Sequence, residues 1–201
     1  EYFNGNYYFS GDWTTFNGIS ANYIAKWDGI TNGVTSALGT GLNNRVDEMV
    51  IYQGLLYMGG LFTTANSVSH PYITAWDGTQ FISVGSGLNN LVYALHVFGP
   101  DLYIGGTFTT AGGQSSLRIT KWNGTNFTPM TGANNHILDF TDDGTNLYAV
   151  GTFTSIQGVA ANRVVKFDGT TWSALGDGLS STVYAIVIFQ NELYVGGQFI
   201  F

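Results

Sequence analysis

The chain has 201 residues, of which 44% are hydrophobic and 9% charged, with a formal net charge of −7. Its six basic residues form no run, which argues against a nucleic-acid partner and an anionic membrane surface. The absence of cysteine excludes disulfides, thiolate catalysis and cysteine-based metal sites. No apolar stretch approaches the length of a membrane helix, so we expect no membrane insertion.

A tyrosine-containing phrase recurs along the whole chain, at intervals of 49, 46, 45 and 46 residues. The recurring tyrosines are Tyr8, Tyr57, Tyr103, Tyr148 and Tyr194. Five residues after each lies an aromatic residue: Trp13, Phe62, Phe108, Phe153 and Phe199. Nineteen residues after the first four tyrosines lie Trp27, Trp76, Trp122 and Phe167. We expect these four rings to be mostly buried at equivalent places in successive repeats, because fixed spacing is what repeated packing requires.

The unit 91–135 shows how one repeat is predicted to fold. It reads as a strand "LVYALHVF", a strand "DLYIGGTFT", a loop "AGGQSS", a strand "LRITKW" and a strand "TNFTPM". Asn123-Gly124 separates the last two, and such a pair predicts a two-residue hairpin turn with both residues at positive φ. The pattern therefore predicts an all-β array of four-stranded antiparallel blades resembling a β-propeller, with a repeat of about 46 residues.

The repeats predict one repeat domain over 1–201, which is a segment of a longer array. Its units are expected at about 1–45, 46–90, 91–135 and 136–181, followed by a partial unit at 182–201. The segment Tyr2–Thr15 aligns with Ile188–Phe201, so both ends supply the same strand. Unpaired strand edges are templates for association, so head-to-tail self-association is a candidate interaction.

Glycine pairs interrupt the second predicted strand of several repeats. They are Gly59-Gly60, Gly105-Gly106 and Gly196-Gly197, whereas Ser10-Gly11 and Val150-Gly151 keep only the second glycine. Glycine within a strand permits close approach of another backbone or ring, here expected from a neighbouring blade. The second position is predicted to carry the stricter backbone demand.

These motifs resemble those of known propeller families. Leu-Tyr-x-Gly-Gly with spaced aromatics resembles kelch-type, galactose-oxidase-like propellers. The longer phrases "LYIGGTFTTAGG" and "RVVKFDGTTWSALGDGL" are closest to repeats of the fungal cortical polarity-marker family, and similar to repeats in bacterial and viral surface proteins. The resemblance implies a propeller fold but no defined activity. The copper site of galactose oxidase needs a cysteine, which is lacking here.

Few residues of the chain suggest a catalytic or metal-binding site. His70, His96 and His136 share no close spacing, so a histidine metal site is not expected. Asp142 and Asp143 in "TDDGTNLY" partly resemble the sialidase Asp-box and could contribute oxygen ligands to calcium, but an acidic β-turn explains them better.

Other polar residues have equally plain structural interpretations. Turn geometry explains the repeated Asp28, Asp77 and Asp168. Glu48 and Asp139 occupy matching positions in first strands, either as acids facing a central channel or as solvated polar residues lining it. Two N-glycosylation patterns begin at Asn123 and Asn126.

The sequence predicts a non-enzymatic extracellular or cell-surface β-propeller protein with a structural or adhesive role, in a surface assembly or filament. The alternative is a glycan-binding, lectin-like propeller, since exposed aromatics beside amides and hydroxyls suit sugars. An enzyme ranks third. No catalytic residue, cofactor or bound metal is predicted, and glycans or other surface proteins are the candidate partners besides the chain itself.

Overall fold

The computed structural model describes residues 1–29 and 35–200, and within these ranges it contains strands and turns but no helix. The predicted all-β fold with repeated four-stranded antiparallel sheets is confirmed. The chain forms two compact units, Glu1–Val92 and Tyr93–Phe201. Residues 30–34 of the first predicted repeat, and Phe201 at the end of the predicted terminal match, lie outside the described residues.

The strands are short, and most belong to one four-stranded sheet per repeat. The first unit contains β1 (Tyr2–Phe3), β2 (Asn6–Ser10), β3 (Thr15–Phe16), β4 (Ile19–Ser20), β5 (Ile24–Trp27), β6 (Thr35–Ala37), β7 (Val46–Tyr52), β8 (Leu55–Gly60), β9 (Thr64–Ala65), β10 (Val68–Ser69), β11 (Ile73–Trp76) and β12 (Phe81–Ser83). From the unit boundary onward follow β13 (Val92–Phe98), β14 (Asp101–Gly106), β15 (Thr110–Ala111), β16 (Gln114–Ser115), β17 (Ile119–Trp122), β18 (Phe127–Pro129), β19 (Ile137–Asp142), β20 (Leu147–Gly151), β21 (Ser155–Ile156), β22 (Val159–Ala160), β23 (Val164–Phe167), β24 (Trp172–Ala174), β25 (Val183–Phe189) and β26 (Glu192–Gly197).

Each full sheet is a meander with a small hairpin inserted in it. The sheet orders are β1-β2-β5-β6, β7-β8-β11-β12, β13-β14-β17-β18 and β19-β20-β23-β24, and β25-β26 form a two-stranded sheet. Between the second and third strands lie the hairpins β3-β4, β9-β10, β15-β16 and β21-β22. The predicted loop "AGGQSS" is therefore wrong in detail: Gly112 (φ 58°) and Gly113 (φ 77°) form a tight turn that pairs β15 with β16.

The Asp-Gly and Asn-Gly turns differ from the prediction. Trp76 pairs with Phe81, so residues 77–80 form a four-residue loop, in which Gly78 has φ of 105° and Asp77 has no positive φ. One Asp77 carboxylate oxygen accepts hydrogen bonds from the backbone N–H groups of Thr79 (2.7 Å) and Gln80 (2.8 Å). Hydrogen bonds from two backbone N–H groups to the Asp77 side chain form an Asx turn, which replaces the predicted two-residue turn.

The same hydrogen bonds between a turn side chain and two backbone N–H groups recur in the next two full sheets. Asn123 accepts from the backbone N–H groups of Thr125 and Asn126, and Asp168 accepts from those of Thr170 and Thr171. These hydrogen bonds lower the pKa of Asp77 to about 2, the side chain of Thr79 contributing most, and they lower the pKa of Asp168. The repeated acids therefore serve the turns, as the sequence indicated.

In the pair Gly59-Gly60, the second glycine faces the first strand of its own sheet. A β-carbon placed on Gly60 would overlap the carbonyl oxygen of Arg45 and lie 2.8 Å from the Cα of Val46. Here the register of β7 against β8 shifts between Val46 and Glu48. Such a bulge brings the backbones together, so the strict demand at this position comes from the same sheet and not, as expected, from a neighbouring blade.

Equivalent overlaps recur in the second unit. A β-carbon on Gly151 would meet the carbonyl oxygen of His136, and one on Gly197 would meet that of Thr182. The prediction that the second glycine carries the stricter backbone demand agrees with this geometry.

Gly105, the first glycine of its pair, faces the next sheet along the chain. A β-carbon on Gly105 would lie 2.6 Å from Ile137 Cγ2 and 2.8 Å from Phe140 Cε2. One repeat later, Val150 occupies the glycine position and packs in a buried cluster with Ile186, which replaces Phe140. A large residue therefore faces glycine at one junction, and a smaller residue faces valine at the next.

We expect Gly60→Ala to lower the free energy of unfolding by roughly 1–3 kcal/mol, because the added methyl group overlaps the β7 backbone. Urea denaturation followed by near-ultraviolet circular dichroism measures the change. Gly196→Ala is the matched control: its added β-carbon meets nothing within 4 Å, so its effect should stay within about 0.5 kcal/mol. Equal losses in the two variants would contradict the steric explanation.

Candidate functional site: the repeat faces and the polar pockets

Successive sheets join through the recurring tyrosine and the ring of the following repeat. In the first unit, Trp76 Nε1 donates a hydrogen bond to the Tyr8 hydroxyl at 3.2 Å, with both residues buried. In the second unit, the rings of Tyr103 and Phe167 lie 6.2 Å apart. Burial raises the pKa of Tyr8, and burial with the nearby Asp101 raises that of Tyr103 to about 12. Both phenols therefore remain neutral at physiological pH.

The predicted burial of the four spaced rings holds for three of them. Trp76, Trp122 and Phe167 are at most 7% exposed, whereas Trp27 is half-buried. In β11 and β12, Trp76 and Phe81 are cross-strand partners with ring centroids 4.8 Å apart. The five-residue spacing therefore places two rings on either side of the Asx turn.

The first sheet exposes the residues that later sheets bury. We call Tyr7, Phe9 and Trp27 the head face. Tyr7 is 44% exposed and Phe9 38%, whereas Leu56 and Met58, at the same positions one repeat later, are 0% exposed. The rings of Tyr7 and Trp27 lie 5.6 Å apart on this surface.

An open groove runs along the head face. It has a volume of about 420 Å³ and is lined by Phe9, Phe16, Asn17, Trp27 and Thr35. Phe9 and Phe16 stack with centroids 5.5 Å apart, and Asn17 Nδ2 donates to Thr35 Oγ1 at 3.2 Å. Stacked rings beside an amide and a hydroxyl form a surface that can bind a planar or sugar-like ligand.

The last hairpin exposes the opposite type of surface, which we call the tail face: Phe189, Tyr194 and Gly196. Phe189 is 60% exposed and Tyr194 48%, whereas Tyr103, at the matching position, is 3% exposed. A β-carbon on Gly196 would meet nothing within 4 Å. In the described part of the chain, the tyrosine and glycine of the tail face are therefore uncovered, whereas the matching Tyr103 is buried.

The predicted acidic turn at Asp142 and Asp143 lies at a polar pocket of about 560 Å³ in the second unit. Asp143 accepts hydrogen bonds from the backbone N–H groups of Thr145 and Asn146, and from the Tyr148 hydroxyl at 2.8 Å. The hydrogen bond that the Asn146 side chain donates to Asp143, followed by these bonds, holds the pKa of Asp143 well below its usual range. Burial and the bond to Asp143 raise the pKa of Tyr148 to about 12.

The Asp142 carboxylate contacts a different set of groups. One of its oxygens accepts from the backbone N–H of Gly144, and the other lies 2.7 Å from His96 Nε2. Over residues 1–29 and 35–200, no group of three or more acidic or histidine side chains could hold a metal ion. The acids therefore serve the turn, which was the favoured interpretation over calcium binding.

The other two histidines occupy separate structural settings. His70 is buried and its Nδ1 lies 2.9 Å from Thr74 Oγ1, and burial lowers its pKa. His136 is half-exposed and starts the segment leading to β19, and burial followed by Arg118 lowers its pKa. The structure brings none of the three histidines together as a ligand set in the part it describes.

Asp139 connects two sheets. Its Oδ2 accepts a hydrogen bond from the backbone N–H of Ile186 in β25 at 2.8 Å, and its Oδ1 accepts from Phe140 N–H. Burial raises its pKa despite these donors. Asp139 is thus partly buried and engaged with the next repeat, rather than the solvated residue that the sequence favoured. Glu48 accepts from the Met49 N–H at 3.1 Å.

A repeated asparagine pair escaped the sequence interpretation. Asn43 accepts from the N–H groups of Thr63 and Thr64, and Asn134 accepts from those of Thr154 and Ser155. Each asparagine ties the end of one repeat to the small hairpin of the next. The signal was available, because Asn-Asn recurs at 43–44, 89–90 and 134–135.

Both predicted glycosylation asparagines lie at the surface. Asn123 and Asn126 are exposed, and the Asn123 side-chain oxygen is used by the turn. Glycosylation at either position stays a prediction.

The repeated antiparallel sheets, joined face to face by rings, define a β-propeller repeat protein. Residues 28–185 match the family model described as the Rax2 C-terminal beta propeller domain, and the chain belongs to this family. The predicted resemblance to the fungal cortical polarity-marker family is thereby confirmed.

The comparison with solved structures supports the same architecture. The chain is similar to the computationally designed Ika8 protein, with a TM-score of 0.54 and 16% identity over 86% of this chain. It spans about half of that protein, matching 49% of its length. At this identity the likeness concerns the fold alone. A search of the curated proteins found no match.

We expect Tyr8→Phe to lower the free energy of unfolding by about 1–3 kcal/mol, because the buried Trp76 N–H loses its acceptor. Tyr103→Phe is the matched control: its partner ring is Phe167, which has no N–H, so the cost should be below about 1 kcal/mol. Chemical denaturation of both variants gives the comparison. A larger loss for Tyr103→Phe would contradict this assignment.

Proposed function

We propose that the protein is a non-enzymatic β-propeller domain of the cell surface or extracellular space, with a structural or adhesive role. The observation that carries the proposal is that the acidic side chains are engaged in internal hydrogen bonds, whereas several aromatic side chains are exposed. The acids that suggested chemistry, such as Asp77, Asp139 and Asp143, are committed to turns and sheet junctions. Exposed aromatic residues such as Tyr7, Phe9 and Tyr194 are available for contacts.

Family membership supports the location. The matched family is that of a cortical polarity marker, which implies association with the cell surface. Low charge and a surface of neutral polar residues suit a protein that contacts other macromolecules by shape and hydrogen bonding rather than by electrostatic steering. The described residues include no helix long and apolar enough to cross a membrane.

The location is tested by antibodies against the 201-residue chain, applied to living cells of the source organism before and after permeabilisation. We expect labelling of intact cells, and loss of the epitope after external protease treatment. Antibody against a cytosolic marker is the control for membrane integrity. Labelling that requires permeabilisation would contradict a surface location.

A second candidate is glycan binding, favoured by the groove of about 420 Å³ beside Phe9 and Asn17. Sugars stack their apolar faces on such rings while an amide bonds their hydroxyls. A glycan array should then give a ligand whose affinity falls at least about tenfold in Asn17→Ala, equivalent to about 1.4 kcal/mol. Asn6→Ala, at a half-buried asparagine outside the groove, is the control. An array without a specific ligand would exclude this alternative.

A further inference from the structure

His70 distinguishes the second repeat from the others at a position that is buried in all four. The first and fourth repeats carry Ala21 and Ala161 at this position, and the third carries Ser116. These four residues are at most 4% exposed. The hydroxyl of Ser116 is used within its own repeat, because it donates to the carbonyl oxygen of Ile119 at 2.8 Å. The fold therefore accepts a small side chain here and does not require an imidazole.

His70 lines a small open pocket in the first unit. The pocket has a volume of about 140 Å³, and all of its lining residues lie within 69–87, in a single repeat. Its buried lining residues include His70, Ile73 and Val84. Three exposed serines also line it: Ser69, Ser83 and Ser86. The pocket thus has hydroxyl groups at its mouth, and an imidazole with two apolar side chains at its base.

A hydrogen-bond network fixes the proton of the His70 ring, which burial keeps neutral by lowering its pKa. His70 Nδ1 lies 2.9 Å from Thr74 Oγ1, which lies 3.2 Å from the carbonyl oxygen of Ile82. Because a carbonyl oxygen can only accept, the Thr74 hydroxyl is the donor in the second contact. The equivalent Thr120 donates to the carbonyl oxygen of Thr128 in the same way, at 3.0 Å. Thr74 therefore accepts from His70 Nδ1–H, and His70 Nε2 carries a lone pair.

The lone pair on His70 Nε2 is available to a ligand. In the part of the chain that the structure describes, Nε2 has no hydrogen-bond partner, yet it is not one of the polar atoms sealed from solvent. The two ring nitrogens point in different directions and Nδ1 faces Thr74, so Nε2 reaches solvent through the pocket. A buried acceptor without a donor is costly, which favours a ligand group that donates a hydrogen bond at this point.

The lining of the pocket selects a small neutral ligand. No lining residue carries a charge, since His70 is neutral, so a charged ligand would lose its water without gaining a counter-ion. A cavity of roughly 150 Å³ holds a molecule of the size of benzene, so this pocket accepts roughly six non-hydrogen atoms. Ligand hydroxyl groups match His70 Nε2 and the serines, and a ligand C–H surface matches Ile73 and Val84.

We propose that this pocket binds a neutral hydroxylated molecule, one hydroxyl of which donates to His70 Nε2 while others bond to the serines at the mouth. The ligand chemistry is a pair of neighbouring hydroxyl groups, supplied either by a free polyol or by one edge of a sugar ring. The pocket shares no residue with the groove beside Phe9 and Asn17, so this site is separate from the glycan-binding candidate described above.

NMR of the imidazole nitrogens in the full 201-residue chain tests the assigned tautomer. A neutral histidine in water is protonated mainly at Nε2, so protonation of His70 at Nδ1 is a distinctive result. His70→Asn assigns the signal, and His136→Asn, at a half-exposed histidine outside the pocket, is the matched control. A His70 ring protonated at Nε2 would leave no acceptor facing the pocket and would overturn the proposal.

Binding is measured by titrating the same protein with glycerol, as the free polyol, and with methyl α-mannoside, as the sugar edge. We expect at least one probe to shift the signals of the His70 ring and of the Gly85 and Ser86 amides, with half-saturation at or below about 10 mM. The affinity should fall at least about tenfold in His70→Asn, which keeps a donor to Thr74 but lacks Nε2. His70→Ser, which restores the side chain of the third repeat, should show the same loss, and His136→Asn should bind as the unmodified chain does.

The two probes separate the two sources of the ligand. Saturation by glycerol alone indicates a free polyol, saturation by methyl α-mannoside alone indicates a sugar edge, and saturation by both indicates the hydroxyl pair that they share. Circular dichroism confirms that each variant is folded. Shifts that rise linearly with both probes, equal affinity in His70→Asn, or shifts confined to the groove around Asn17 would overturn the proposal. These titrations report binding whatever the location of the protein, so their failure leaves the proposed surface location standing.

Discussion

The second strand of every full sheet carries apolar residues on both faces, and the packing of the sheets depends on this property. In β14, the consecutive residues Leu102, Tyr103 and Ile104 are all at most 3% exposed, although alternate residues of a strand point to opposite sides. Such a sheet cannot be stable in water alone. Its apolar faces are stabilised by packing against other sheets, and the recurring rings, the glycine gaps and the hydrogen bond that Asp139 accepts from Ile186 all serve that packing.

The features predictable from the sequence were those set by fixed spacing along one repeat. The aromatic positions and the second glycine recur at a nearly constant interval, so the burial of Trp76, Trp122 and Phe167 and the special demand at the second glycine were predictable without coordinates. The turn after Trp76 was not predicted correctly, because Asp77 competes for two backbone donors and opens the loop to four residues. The small hairpins were missed because strands of two residues are too short to produce an alternating pattern.

The candidate sites were less predictable because they depend on contacts between residues far apart in the chain. The sequence singled out Asp139, yet its partner Ile186 lies 47 residues away, and no local pattern connects them. The solvent exposure of individual residues was equally difficult to predict from the sequence. Tyr194 has nearly the same local sequence as Tyr103, yet Tyr103 is buried in contact with Phe167 and Tyr194 is 48% exposed.

The matched sizes at successive junctions have a consequence for how the chain avoids misfolding. Repeats of similar sequence can dock in the wrong order, which is a characteristic failure of repeat proteins. Here Phe140 needs the space left by Gly105, whereas Val150 already fills that space and is matched by the smaller Ile186. A sheet that skipped its proper neighbour would meet either a clash or a void. These two junctions therefore differ in the volumes of their facing side chains, and this difference favours the native order of the sheets.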